Sequence, residues 1–311
     1  MSTSPDVSNK MAMMYITDSA HAATYTMRSN YEGGHVSIKD ETYTLNTGAT
    51  IPKIAFGTWQ IPNGDEANDS VAFALKTGYR HIDTARAYGN EESVGKAVRD
   101  SGISREDIFI TTKLPAEVKT YDGALETFET TMAALDMEYV DLYLIHAPWP
   151  WNDIGSDHTE GNIQAWKALE TIYKSGRAKA IGVSNFTPKD IQALLDATET
   201  VPAANQIRFF VGHTSEETMA FCEKNNIIVE AYSPLATGEL LENKDLVAIA
   251  EKYQKSVAQI CIRYTLQRGT VSLPKSTHEE RIRENIDVDF VISDEDMKTL
   301  NELEDSSPSV Y

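Results

Sequence analysis

A single (β/α)8 barrel, closed at its bottom by an N-terminal β-hairpin, is the fold class this sequence predicts. Three observations carry it. Eight short apolar runs end near Phe56, Asp83, Lys113, His146, Ser184, Ile207, Ser233 and Pro274. The first four of these ends lie 27, 30 and 33 residues apart, about one βα unit each. Amphipathic helical patterns fill the intervals, and no long linker interrupts the alternation. A doubly wound sheet is the competing fold, but no G-x-G-x-x-G follows the first run.

The elements follow in order. Residues 1–38 are rich in Ser, Thr, Met and Ala and show no periodicity. They lack a charged segment leading into an apolar core, so they do not read as a secretory signal. They are expected to be a disordered extension or leader before a catalytic domain spanning 39–311. From Tyr43 to Phe56 two apolar runs flank Asn46-Thr47-Gly48, the pattern of a hairpin. Helical patterns cover 70–77, 91–101, 124–135, 162–175 and 216–225. Two more, over 280–286 and 294–303, follow the last run before a short polar tail.

Composition narrows the partners. The 311 residues carry 28 basic and 47 acidic side chains, a net charge of −19. Such a surface argues against nucleic acid or an anionic membrane as a partner. No window approaches the roughly 18 apolar residues in a row that a membrane span needs. Cys222 and Cys261 sit far apart in apolar helical patterns and read as buried free thiols in a reducing compartment. A cytoplasmic monomer without a metal is expected, and the sequons at Asn68 and Asn185 then carry no weight.

The chain is organised around Gly78–Gly95, which reads GYRHIDTARAYGNEESVG. Tyr79, His81 and Asp83 alternate with Arg80 and Ile82 as in a short strand, and a polar loop at Tyr88-Gly89-Asn90 leads into a helix. Asp83 therefore stands at a strand end, with Tyr88 just beyond it. The third run ends in Lys113 and the fourth in His146. Barrel enzymes take catalytic groups from the C-terminal ends of several strands, so these four side chains are expected to share one pocket. Singly, each has a plainer reading: a turn-capping Asp, a solvated rim Lys, a hydrogen-bonded core His. Together they suit carbonyl reduction. A phenol with a reference pKa of about 10 is a sluggish acid at neutral pH. A lysine ammonium stabilises its phenolate, and a carboxylate keeps that lysine charged and in place. A neutral imidazole orients the carbonyl oxygen. The hydride must come from a cofactor, since no side chain supplies one.

With these residues in view the sequence resembles the aldo-keto reductases. The resemblance rests on Gly57-Thr58-Trp59, Gly78–Gly95, Ile110–Leu114, Leu144-Ile145-His146 and Gly182–Phe186. It continues through Asn205-Gln206-Ile207, Ala231–Leu235, and Pro274-Lys275-Ser276 with Arg281, Glu284 and Asn285, so it spans nearly everything after residue 42. It implies a catalytic tetrad of Asp83, Tyr88, Lys113 and His146, with Tyr88 the proton donor. It also implies NADPH lying across the top of the barrel, with Gly57, Thr58 and Asp83 beside it. Ser184, Asn185 and Gln206 would hold the carboxamide, Tyr232 would stack under the ring, and Ser233 and Leu235 would line the pyrophosphate. Lys275, Ser276 and Arg281 suit a 2′-phosphate, because cations and a hydroxyl gather where a helix starts. Glu284 and Asn285 would face the adenine. The plainer reading has Arg281 and Arg283 merely decorating an exposed helix. His278 stands where some relatives carry another basic residue, which would weaken phosphate binding at high pH.

The sequence also departs from the family pattern. After His146 it runs Ala147-Pro148-Trp149-Pro150-Trp151, so Trp59 is the firmer substrate aromatic and Trp149 the second. After Gln206-Ile207, the usual acidic-aromatic-His-Pro stretch is replaced by Arg208-Phe209-Phe210-Val211-Gly212. The short tail implies an open pocket, similar to microbial and protozoan members such as diketogluconate and glyoxal reductases. Small aldehydes, α-dicarbonyls and keto sugars are the expected substrates. Two alternatives stand beside this: a Schiff-base aldolase using Lys113, and a non-catalytic nicotinamide-binding subunit.

Overall fold

The structure, a computed structural model, describes residues 36–304. The expected extension lies outside the described residues except for its last three. These already join the body: Ile38 is buried, and its N–H donates to Asp289 Oδ1 at 2.6 Å. A hairpin follows, β1 (Thr42–Thr44) antiparallel to β2 (Thr50–Pro52), with its turn closed by Leu45 N–H donating to Ala49 O at 2.8 Å.

Eight parallel strands then pair in chain order. They are β3 (Phe56–Gly57), β4 (His81–Asp83), β5 (Phe109–Leu114), β6 (Val140–Ile145), β7 (Ala178–Ser184), β8 (Ala204–Arg208), β9 (Ile228–Tyr232) and β10 (Val271–Leu273). Their ends match the eight apolar runs to within one residue. The first and last meet through backbone bonds: Ala55 N–H to Ser272 O at 2.8 Å, Ser272 N–H to Lys53 O at 2.9 Å, and Gly57 N–H to Pro274 O at 3.0 Å. The sheet thereby closes on itself.

The core divides as a barrel requires. Side chains that alternate inward, among them Phe109, Leu142, Leu144 and Ala180, form one buried cluster with Leu45 and Ile51 of the hairpin. The hairpin thus plugs the bottom, as expected. Outward-pointing Ile82, Ile110, Tyr143 and Val183 join a second cluster with residues of the surrounding helices, such as Phe128 and Trp166. Strands buried on both faces read as continuous apolar runs, which is why they were visible in the sequence.

The helices between strands are α1 (Asp65–Thr77), α2 (Glu91–Asp100), α3 (Tyr121–Leu135), α4 (Thr159–Lys174), α5 (Pro188–Ala197), α6 (Glu216–Lys224), α7 (Lys244–Tyr253) and α8 (Val257–Gln267). After β10 come α9 (Glu279–Ile286) and α10 (Asp294–Asn301). α1 begins five residues before its apolar pattern, because its first turn carries Asp65 and Glu66, which suit the positive helix terminus but give no apolar signal. α5 and α8 start in reciprocal capping boxes, Thr187 with Asp190 and Ser256 with Gln259. Gly95 is required by contact: a Cβ there would stand 2.0 Å from Leu135 O at the end of α3.

Candidate active site

The C-terminal ends of β4, β5 and β6 bring the four expected catalytic residues together. Lys113 is fully buried. Its Nζ donates to Asp83 Oδ1 at 2.7 Å and Oδ2 at 2.9 Å, to Thr84 O at 2.9 Å, and to Tyr88 Oη at 3.2 Å. Burial alone would favour the neutral amine. The charges and hydrogen bonds of Asp83 and Tyr88 outweigh it, and the Lys113 pKa moves upward. Tyr88 ends a short 3-10 turn, Arg86–Tyr88, which Gly89 closes at φ 70°. Its ring packs edge-on against His146, with centroids 5.6 Å apart.

Burial, followed by the nearby Lys113 ammonium, pushes the His146 pKa down to about 3. The imidazole is therefore neutral at physiological pH. Its Nδ1 is buried without a partner, so Nε2 is the nitrogen that reaches the cleft.

The strand ends are held by Thr58 and Asn90. Thr58 donates to Asp83 O through its N–H at 3.0 Å and its Oγ1 at 2.9 Å. Asn90 Nδ2 donates to Thr58 O and Ile61 O, both at 2.9 Å. Thr58 is fully buried and is not among the residues that line the cleft.

One cleft of about 910 Å³ takes in Asp83, Tyr88 and His146 together with the start of α9. Gly57, Ser184, Asn185 and Gln206 line it near the tetrad, and so do Tyr232, Ser233 and Leu235. Asn185 sits in the left-handed region at φ 61° and Ser233 at φ 52°, conformations that cost a non-glycine residue and cluster at functional sites. The turn at Asn185 lets its Nδ2 donate to His146 O at 3.0 Å, while its Oδ1 accepts from Tyr232 Oη at 2.7 Å. One amide thus ties β6, β7 and β9 together. Ser184 Oγ donates to Gln206 O at 2.8 Å, and Gln206 Nε2 donates to Asp83 Oδ2 at 2.8 Å.

Lys275, Ser276, Arg281, Glu284 and Asn285 line the same cleft. The two arginines of α9 part company. Arg281 faces the cleft, whereas the Arg283 guanidinium lies over the Phe73 ring of α1, 5.4 Å from its centroid. Of the two, Arg281 is the one placed at the cleft.

Trp59 lines the cleft, but Trp151 rather than Trp149 is the second tryptophan in its wall. Trp151 packs edge-on against His146 at 5.4 Å between centroids, and Trp149 packs against Trp151 at 5.2 Å. Sequence reading also passed over Arg208, which lines the cleft, and Glu230, buried beneath it. Both lie in phase with cleft-lining residues, two positions from Gln206 and Tyr232 on β8 and β9, and the period-2 alternation of a strand was signal enough to find them.

Among the described residues no group of three His, Cys, Asp or Glu side chains is placed to hold a metal ion. Cys222 and Cys261 are free and buried, with burial raising their thiol pKa values to about 11 and about 12. No described helix is long and apolar enough to cross a membrane.

Comparison with known proteins agrees with this geometry. The Aldo/keto reductase family profile matches residues 53–305. A glyoxal reductase of Bacillus subtilis is 44% identical over 268 residues, covering 86% of this chain and 94% of that protein. The crystal structure of an aldo/keto reductase from Brucella melitensis superposes with a TM-score of 0.78 at 44% identity, covering 84% of this chain and 98% of the other. A Bombyx mori aldo-keto reductase, solved in complex with NADP, gives 0.76 at 35% identity, covering 84% and 92%. With the barrel, the strand-end tetrad and these similarities in agreement, the chain belongs to the aldo/keto reductase family of oxidoreductases.

Proposed function

We propose that this protein reduces small aldehydes, α-dicarbonyls and keto sugars to alcohols with NADPH, with Tyr88 as the general acid. The carrying observation is the single lysine that touches both Asp83 and Tyr88 beneath a cleft that His146 also lines. The cleft residues fit a phosphorylated nicotinamide dinucleotide. Amide and hydroxyl groups of Ser184, Asn185 and Gln206 and the aromatic Tyr232 gather near the tetrad, suited to a carboxamide-bearing ring. Lys275, Ser276 and Arg281 offer cations and a hydroxyl by α9, suited to a phosphomonoester.

When bound, the reduced nicotinamide supplies the hydride that the carbonyl carbon accepts. The chain does the rest. His146 Nε2, neutral, is the group available to hydrogen-bond the carbonyl oxygen and fix its direction. Tyr88 gives its phenolic proton to that oxygen as negative charge develops there. Lys113, 3.2 Å from the phenol oxygen, stabilises the phenolate left behind, which solvent then reprotonates. Asp83 keeps the ammonium charged and aimed. Trp59 and Trp151 supply apolar wall for a small substrate, and the similarity to a glyoxal reductase supports α-dicarbonyls among them.

The aldolase alternative loses ground here, because a Schiff-base lysine must reach its neutral form. Lys113 is buried against a carboxylate and shifted the other way. The test is absorbance at the reduced-nicotinamide band with NADPH and NADH in parallel, using methylglyoxal, phenylglyoxal and an aromatic aldehyde. Loss of signal with NADPH is expected. Binding of NADPH without turnover of any carbonyl would instead favour a binding subunit.

A further inference from the structure

The Gln206 side chain is gripped from below by two carboxyl groups. Its Nε2 lies 2.8 Å from Asp83 Oδ2 and 3.2 Å from Glu230 Oε2. Gln206 and Glu230 are register partners on β8 and β9, and Glu230 is fully buried. Asp83, ion-paired with Lys113, only accepts, so the end of the amide facing it must be the nitrogen. That nitrogen has two hydrogens, and both are committed. The amide oxygen is then the end left to the cleft that Gln206 lines.

Glu230 has little else to do. Its Oε1 has no hydrogen-bond partner and stands 3.8 Å from His81 Nε2, which is itself engaged with Thr111 Oγ1 at 2.8 Å. A carboxyl buried with a single hydrogen bond is costly, and an apolar residue would pack the barrel at lower cost. Whether or not it carries a proton, Glu230 keeps an oxygen able to accept from Gln206.

We propose that Glu230 is a positioning residue that fixes the plane of the Gln206 amide, so that the cleft floor presents an acceptor to the N–H of a primary carboxamide. This rests on the nicotinamide reading above. The group recognised is the carboxamide itself, and the discrimination is against ring substituents that lack an N–H.

The test compares binding of NADPH and of its 3-acetylpyridine analogue, which replaces the carboxamide by a methyl ketone, through quenching of tryptophan fluorescence. The native chain is expected to prefer NADPH. Glu230→Leu should shrink that preference about five- to tenfold, the size of one hydrogen bond, with analogue affinity unchanged. Glu230→Gln, whose amide oxygen can accept in the same place, should restore it. A Glu230→Leu protein with the native preference overturns the proposal. Should that variant not fold, solvent exchange of the Gln206 side-chain amide in the native protein decides: both hydrogens are expected to exchange slowly, and one exchanging freely overturns the proposal. If native protein binds neither dinucleotide, the cofactor reading fails, while the exchange result still shows whether the amide is pinned.

Discussion

Lys113 Nζ bridges both carboxylate oxygens of Asp83, at 2.7 and 2.9 Å, with no part of the lysine exposed. The pair joins adjacent strands through a contact made wholly inside the barrel. Replacing Lys113 with Met removes one charge of a buried pair and leaves Asp83 uncompensated, a change that typically costs about 3–5 kcal/mol. Urea denaturation of Lys113→Met should show a loss of that size, and carbonyl reduction should fall at least as far as it does when Tyr88 loses its hydroxyl. Native-like stability would mean that the pair does not hold the two strand ends.

Tyr88→Phe separates chemistry from architecture. The ring contact with His146 and the Lys113–Asp83 bond both survive the loss of a hydroxyl. Only the hydroxyl proposed to give the proton goes. Reduction should drop by about two to four orders of magnitude, the usual contribution of a positioned acid. The dissociation constant for NADPH, followed by fluorescence quenching, should stay unchanged. Turnover close to the native rate would remove Tyr88 from the acid role.

Much of this site is legible in the sequence because a barrel converts chain position into spatial position. Asp83, Lys113 and His146 end successive apolar runs, and parallel pairing in chain order puts such ends side by side. What alternation cannot show is how far a loop carries its side chains. Trp149 and Trp151 both stand in the loop after β6, and only the path through Pro148 and Pro150 decides that Trp151 meets His146. Nor can alternation show which way a short side chain turns at Thr58. Its neighbours Gly57 and Trp59 reach the cleft, but its own hydroxyl turns back to Asp83 O. Glu230 is a single acid within an apolar run, and only the register sets it opposite Gln206.

Arg281 and Arg283 make a controlled pair for cofactor choice. They lie on the same helix and carry the same charge, but Arg281 lines the cleft while Arg283 covers Phe73. Arg281→Gln should weaken NADPH binding about 10- to 100-fold, as expected for losing a hydrogen bond between charged groups, and leave NADH nearly untouched. Arg283→Gln should change neither. Equal losses for the two dinucleotides in Arg281→Gln would show that the residue does not read the 2′-phosphate.

Glu230 also leaves a signature in the pH dependence of stability. Burial, reinforced by the Asp83 carboxylate, raises its pKa from 4.5 to about 8 in the folded chain. The folded protein therefore keeps a proton that the unfolded chain releases. The stabilisation is fully present below 4.5 and is lost as pH rises through about 8. His81 and His146 act in the opposite sense. Burial lowers both from 6.5 to about 3, so their contribution is complete above 6.5 and is lost as the pH falls below it. Between 6.5 and 8 the Glu230 slope is therefore not offset by these histidines. Over that interval the unfolding free energy should fall in the native protein, by at most about 1.4 kcal/mol per pH unit. Glu230→Gln cannot release a proton, so its curve should be flatter by that amount in parallel urea titrations. Identical slopes would mean that Glu230 is already ionised in the folded barrel, and that the charge beneath Gln206 is a full carboxylate throughout the working pH range.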